Sequence, residues 1–536
     1  MGIRSGAIGL ALLVAPFSAS SAWAQSGSDR PSEQDLFGGG STPAAPAAKP
    51  AAPPAAAPVA GVPAPPPAAP AAAAAGAPAG GGTERDQDLL GAGADANKFL
   101  ADYVAPENPL QIGGQLYLRA QSTASGGQTP SAWSMAAPSL LDVYLDARPN
   151  PRVRAFILGR MGFDPTLPPN GTMSGFGTSA GGAEAAGNPT GFSTFSTTRG
   201  PTSLLDQMWI RFDILEHVFV TAGKQHVRWG TGHFWQPTDY LHPVRRNPLD
   251  VFDTRPGTTM LKLNVPWEEK GWNFYGFAIA EDPNVATPTL RQVAGAFRAE
   301  VVLAGVELGV DTYLRRDQKA RYGFDMSTGI GDFDIYADIA VRPGDDFEHY
   351  DPAQNVIGVF SGYETQAVGG ATYSRKYNDN DMWTVGAEYF YNHPGYTNSS
   401  AYGQTIQYVL NNQATLDPAV ASNPFQLLPF FYLGRQYAAV YLSLPAPYSW
   451  NYTTFTLSTL GNLSDRSFIT RLDYSVTLLT HLSFEAFVGV HYGHIGGEFR
   501  LELPPVVASE IASMVPGTVL NDYPVVDLGV ALRLKI

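Results

Sequence analysis

The chain contains no cysteine. That excludes disulfide staples, thiolate metal sites, a cysteine nucleophile and a lipidated N-terminal anchor. It also suits an exported protein, which avoids oxidative mispairing that way. Charge is scarce: charged residues are 15% of the 536, against about a quarter in ordinary soluble proteins. The net charge of −14 argues against a nucleic-acid binder, which needs a basic face to neutralise phosphates. Beyond a short N-terminal stretch there is no long apolar run, and nowhere one of about 18 residues, so no helix is expected to hold the chain in a membrane. A Gly-x-Ser-x-Gly elbow, a phosphate-binding glycine loop and a His-Glu-x-x-His helix are all missing. His491 and His494 stand three apart, which on a strand sends them to opposite faces and disfavours a metal site. No cofactor, no metal and no enzymatic activity are expected.

What is present is distinctive. Aromatics reach 12%, with 25 Tyr and 28 Phe, beside 56 Gly and 44 Pro. The start reads as a secretory signal over residues 1–24. Arg4 supplies the positive end, Ala7 to Val14 a short apolar core, and Ala22-Trp23-Ala24 a small-x-small cleavage site. Residues 42–82 are almost wholly Ala, Pro and Gly. Such a segment can bury no face and is expected to be a disordered linker. At about 3.1 Å per residue it would reach on the order of 100 Å, enough to cross much of a periplasm. A short repeat flanks it. Gln34-Asp35-Leu36 lies in the segment 25–41 and Gln87-Asp88-Leu89 in the segment 83–109, each preceded by an acidic residue. The repeat reads either as a duplicated docking motif for a periplasmic partner or as chance similarity in simple sequence. Asp95 to Tyr103 could form one or two helical turns.

From residue 110 to 536 the chain alternates repeatedly between apolar and polar, which places successive side chains on opposite faces of strands. Leu141, Val143, Leu145 and Ala147 alternate with Asp142, Tyr144, Asp146 and Arg148. Phe333, Ile335, Ala337 and Ile339 alternate with Asp334, Tyr336 and Asp338. Leu528, Val530, Leu532 and Leu534 close the series. Rings such as Tyr322, Phe324, Trp383, Tyr389, Tyr391, Tyr474 and Tyr492 fall on the apolar face near strand ends, suiting a lipid–water boundary. The segments are about nine to twelve residues, the length a tilted strand needs to cross a bilayer. In lipid every peptide group must be paired, so the sheet must close. The pattern therefore predicts an all-β fold: a transmembrane antiparallel barrel of about eighteen strands behind a disordered N-terminal arm. Connections alternate between short turns (149–151, 215–217, 266–270, 302–304, 329–332, 375–381, 445–451, 477–481) and a side that holds the long stretches 162–203, 229–256, 343–363, 393–434 and 493–523. A balanced miscount of two would leave sixteen strands. Such a barrel belongs in a Gram-negative outer membrane, its arm in the periplasm, with lipid, lipopolysaccharide and the barrel-assembly machinery as partners.

The inward charges predicted to line the lumen are Arg119, Asp142, Asp146, Arg154, Arg160, Asp334, Asp338 and Arg471. They serve equally as cross-strand ion pairs. The most unusual stretch runs from Gly223 to Asn264. Lys224, His226 and Arg228 are expected on one strand face, followed by a loop bearing Arg245, Arg246, Asp250, Asp253 and Arg255. Trp229, Phe234, Trp235 and Tyr240 could pack that loop on a wall, and Pro237, Pro243, Pro248 and Pro256 stiffen it. A stiff, charged, aromatic loop is what an inward-folded constriction requires, and these eight charged residues are its candidate lining. The competing reading is an external loop paired with lipopolysaccharide.

Gly223, Gln225, the Trp229-Gly230 pair, Pro237 and the run Arg255-Pro256-Gly257 resemble the motif of a large family of proteobacterial outer-membrane proteins, porin-like β-barrels of the domain-of-unknown-function type. The resemblance covers about forty residues closely. It implies a porin-like barrel for hydrophobic or bulky solutes. The Pro/Ala arm is not a feature of that pattern. An adhesin or envelope tether would account for the arm, and a hydrolase needs only a Ser/His or Asp/His group gathered at a barrel rim; both stand as alternatives.

Overall fold

A computed structural model of the chain describes residues 109–166, 201–242, 245–249, 255–281, 289–344, 348–351, 354–359, 362–378, 381–416, 427–503, 507, 509 and 522–536. The signal segment, the Pro/Ala linker, both Gln-Asp-Leu copies, and Asp250 and Asp253 lie outside these residues.

Eighteen antiparallel strands, each hydrogen-bonded to the next, form one closed ring among the described residues. They are β1 (Leu110–Ser125), β2 (Ser139–Asn150), β3 (Val153–Phe163), β4 (Thr202–Ile214), β5 (Val218–Gln225) and β6 (Thr258–Trp267). Next come β7 (Trp272–Ile279), β8 (Ala294–Leu303), β9 (Val306–Leu314), β10 (Arg321–Ile330), β11 (Phe333–Pro343) and β12 (Tyr363–Lys376). The last six are β13 (Met382–Asn392), β14 (Gln436–Pro445), β15 (Thr453–Asn462), β16 (Ser467–Leu479), β17 (Leu482–Gly493) and β18 (Pro524–Lys535). The seam is the ladder from Gln115↔Lys535 to Thr123↔Asp527 between β1 and β18. The ring leaves no edge, which is the condition for a sheet in hydrocarbon. Sixteen strands is therefore excluded.

Alternation sorts the side chains as the sequence predicts. Val143, Leu145, Ile157, Met208, Ile210, Leu261, Leu263, Val310, Ile335, Ile339, Val530 and Leu532 are exposed on the outer surface. The alternate positions, Asp142, Asp146, Arg154, Lys262, Arg298, Asp311, Asp325 and Asp338, are buried inside. A surface greasy in this continuous way is unstable in water and stable in lipid. Near the short turns, rings touch one another around the outside. Trp267 meets Trp272 at 5.6 Å, Phe333 meets Tyr373 at 4.6 Å, Tyr373 meets Trp383 at 5.4 Å and Phe455 meets Tyr474 at 5.2 Å. That is the girdle an interface favours.

Inside, bulky rings lie across glycines of the neighbouring strand. Tyr336 is the register partner of Gly370 and Tyr441 of Gly386. A Cβ on either glycine would strike the ring. Covering a glycine with an aromatic restores the packing that the missing side chain forfeits.

The interior is not uniformly wet, in contrast to the expectation of a polar lumen. Inward Tyr336, Val368, Phe390, Tyr437, Tyr441 and Ile469 form one apolar cluster with the loop residues Phe234, Trp235, Leu249, Leu428, Phe431 and Phe499. The helix α1 (Ser400–Asn412) joins it through Tyr402 and Ile406. Loops from three separate connections thus share one core with the wall.

Candidate functional site

Strand β5 stops at Gln225, three residues short of the alternating run. Beyond it the chain leaves the wall and crosses to the opposite side. Trp229 packs edge-on against Phe277 of β7, 5.5 Å between centroids, beneath the Arg298 guanidinium at 5.9 Å. Gly230 follows with φ 92°. A Cβ there would run into the Asp338 carboxylate on β11 and the Thr238 hydroxyl, so both backbone shape and space call for glycine. The Thr231 hydroxyl donates to the Ala337 carbonyl at 3.0 Å, and that of Thr238 to Asp338 Oδ2 at 3.2 Å.

The strongest anchor is Glu388 of β13. Its carboxylate accepts three successive backbone N–H groups, from His233 at 2.7 Å, Phe234 at 3.2 Å and Trp235 at 2.9 Å. Tyr336 adds its hydroxyl at 3.0 Å. The carboxyl group meets donors that would otherwise be stranded away from water. The Trp235 indole N–H donates to the Phe431 carbonyl at 3.0 Å. Further on, Arg471 of β16 donates to the Leu249 carbonyl at 2.7 Å. At the far end the Gly257 N–H donates to the Asp206 carbonyl at 3.1 Å, where a side chain would strike the backbone of Asp206 and Gln225. The loop therefore spans from β5 to β11, β13 and β16 before returning to β6.

The structure separates the residues that the sequence grouped. Lys224, His226 and Arg228 do not share a strand face, because the strand ends first. Lys224 is the register partner of Met208 and Thr259 on the outer face. It pairs with Glu281 at 3.1 Å. His226 turns toward Asp206, Nε2 to Oδ1 3.0 Å, and its ring lies 5.4 Å from that of His242. Arg228 is half-buried at the start of the loop. Arg245 lies over the Tyr432 ring at 4.9 Å, Arg246 donates to the His233 carbonyl at 3.2 Å, and Arg255 pairs with Asp239 at 3.0 Å. These last three line one cleft with Arg321 and Arg342 of the wall.

Of the inward charges, Asp142 and Arg160 are register partners bridged at 2.8 Å, and Arg160 reaches Asp206 at 3.3 Å. Asp146 takes Arg154 at 2.8 Å. Arg119 stacks over Phe487 at 4.7 Å, and Arg471 over the same ring at 4.5 Å. Asp334 faces inward near a short turn, half-buried. Four of these eight groups thus bridge neighbouring strands, while Asp338 and Arg471 hold the loop.

Sequence reasoning missed Glu388, Arg321 and Arg342. Glu388 sits at an inward position between Gly386 and Phe390, and a lone carboxylate there was the available signal. It also missed a second polar knot. Glu498 accepts the Phe431 N–H, the Tyr437 hydroxyl at 2.7 Å and the Asn462 amide at 2.9 Å. Asp465 accepts the Tyr402 hydroxyl at 2.8 Å and the Glu498 N–H at 2.8 Å. Burial, reinforced by the Asp465 charge, pushes the Glu498 carboxyl up to about 8.

Among the described residues, two cavities carry loop residues in their walls. One runs along Arg245, Arg246 and Arg255. The other runs along Phe234, Leu249, Arg471, Glu485 and Phe487.

The class these features define is a membrane-spanning antiparallel β-barrel of eighteen strands with a long loop folded into its lumen. No family model and no curated sequence matches the chain. Among solved structures it is similar to OccAB1 of Acinetobacter baumannii, at 9% identity over 80% of this chain and 96% of that one, with a TM-score of 0.46. It is similar also to a BenF-like porin from Pseudomonas fluorescens, at 10% identity over 80% of this chain and 99% of that one, TM-score 0.42. A porin of Rhodopseudomonas blastica aligns at 11% identity over 80% of this chain and all of that one, TM-score 0.36. Likenesses this loose speak to no solute; the barrel stands on its own ladder and exterior.

Proposed function

We propose that the chain forms an outer-membrane channel for solute passage, with the loop 226–257 as its selectivity constriction. The observation that carries this reading is the grip of Glu388 on three consecutive N–H groups of the loop. A loop fixed across the lumen at β11, β13 and β16 narrows the path and holds its arginines in place, as a filter requires. The cavities that border it supply room on its flanks. The secretory signal, the apolar exterior and the aromatic girdle support placement in a Gram-negative outer membrane, with the Pro/Ala arm in the periplasm. The motif from Gly223 to Gly257 supports kinship with the porin-like outer-membrane family.

Planar-bilayer recording from the purified full chain tests the reading. Ion-permeable steps of reproducible size are expected. A folded, inserted barrel that stays electrically silent would overturn it in favour of a tether or a rim enzyme.

A further inference from the structure

The cavity between the inward loop and the short-turn side of β15 to β17 has a wall of hydroxyl groups. On β15 the inward positions are Thr454, Thr456 and Ser458. On β16 they are Arg471, Asp473 and Ser475. The ladder sets Ser458 beside Arg471, Thr456 beside Asp473 and Thr454 beside Ser475. Hydroxyls from two adjacent strands thus face one space. Those on β15 span about 13 Å, at roughly 3.3 Å per residue. Among the described residues, the hydroxyls of Thr454, Ser458 and Ser475 bond to no other group of the protein. Water meets them until a solute that reproduces its bonds displaces it.

The charged groups of the same lining are already engaged. Arg471 pairs with Asp473 at 2.5 Å and donates to the Leu249 carbonyl of the loop at 2.7 Å. Glu485 pairs with Arg533 at 2.8 Å and accepts the Tyr117 hydroxyl at 3.1 Å. Arg471, Asp473 and Glu485 are the charged side chains among the described lining residues. An ion seeking a countercharge here has to break one of these pairs and strand its partner. A hydroxyl sets no such condition, because it both donates and accepts. The loop side of the cavity is apolar, with Phe234, Pro248 and Leu249, and Phe487 and Ala531 continue that surface on the wall. Apolar surface with a few polar groups fixed on one side suits a ligand that is itself two-sided. A sugar ring, with its C–H faces and its rim of hydroxyls, has that form.

We propose that this cavity is a binding site for small neutral polyhydroxylated solutes, sugars foremost, on the short-turn side of the loop. The binding stands on the cavity alone; that the bound solute is cargo rests on the channel reading above.

Saturation-transfer NMR on the purified full chain, in a detergent without a sugar headgroup, is the test. The probes are glucose, glucuronate and tetrahydropyran-2-methanol, which keeps the ring and loses its ring hydroxyls. Glucose should bind saturably, and the other two should bind more weakly by about tenfold or more. The Thr454→Val and Ser475→Ala double variant should weaken glucose binding by about tenfold or more while keeping its heat-modifiable gel mobility. Thr459→Val removes a hydroxyl from the outer face of the same strand, where it bonds to Thr470 at 2.9 Å, and should bind glucose as the wild type does. In bilayers glucose should reduce the ionic current of the wild type and not that of the double variant. Absence of glucose binding, or binding that the double variant leaves unchanged, would overturn the proposal. So would glucuronate or tetrahydropyran-2-methanol binding as tightly as glucose, which assigns the cavity to charge or to apolar surface instead. Glucose binding to an electrically silent barrel would keep the site and remove the channel; conductance without glucose binding would do the reverse.

Discussion

The Glu388 carboxylate accepts the backbone N–H of Trp235 at 2.9 Å across 153 positions of sequence. A buried acceptor serving three adjacent donors is a single point of failure for the loop. In Glu388→Ala those donors lose their partner, at about 1–3 kcal/mol each for an unsatisfied buried group. We expect the loop to leave the lumen while the strand ladder persists. Single-channel conductance should then rise and become noisier, with the folded gel mobility retained. Unchanged conductance in a folded variant would mean that the loop does not restrict the path.

Gly230→Ala attacks the same loop from its other end. The φ of 92° and the contact of a new Cβ with Asp338 and Thr238 both oppose it. The expected cost is about 1–3 kcal/mol from the backbone alone. The variant should show increased cleavage by added protease between Gln225 and Thr258 in the detergent-solubilised barrel, and wild-type resistance there would contradict the geometry.

Lys224 provides the contrast. It pairs with Glu281 on the outer face, with its side chain 19% exposed and that of its partner 35%. A pair this close to the surface, partly buried, contributes on the order of 1 kcal/mol or less. Lys224→Gln is expected to leave the reversal potential under a salt gradient unchanged, whereas charge removal at Arg245 shifts it. A shift of equal size in both would place Lys224 on the solute path after all.

Glu498 makes loop docking sensitive to pH. Its folded carboxyl titrates near 8 rather than the ordinary 4.5, so the folded state holds the proton more tightly than the unfolded one. Its stabilising contribution is complete below about 4.5, declines as pH rises, and is gone above about 8. Thermal midpoints, read from heat-modifiable mobility, should fall between pH 5 and pH 9. Glu498→Gln should flatten that fall. Parallel profiles for the two proteins would dismiss the carboxyl as its source.

The strands were legible because lipid imposes one rule on every residue of the wall. The ladders of the ring follow the period-two pattern apart from register shifts in four of them, and the short turns fall where the alternation breaks. The lumen obeys no comparable rule. Phe390 and Tyr441 look inward from positions that the pattern reserves for polar groups, because a loop rather than water meets them there. The helix α1 carried a readable period in Ala401, Tyr402, Thr405, Ile406 and Val409, its buried face, but it lay within a stretch read only as a long loop. The loop was recognisable by its Trp-Gly and Arg-Pro-Gly, and Gly230 and Gly257 now have steric reasons to be there. Its anchors were not recognisable, since Glu388, Asp338 and Arg471 come from three distant strands and only folding brings them to it.

The seam carries a lesson about how such a molecule is made. Thr123 and Asp527 are opposite one another in the ring, joined also by a side-chain bond of 2.7 Å across 404 positions. The circle can shut only once both have been delivered, so β1 waits unpaired on one side until β18 arrives. Until then both borders of the sheet carry rows of unmet backbone donors and acceptors.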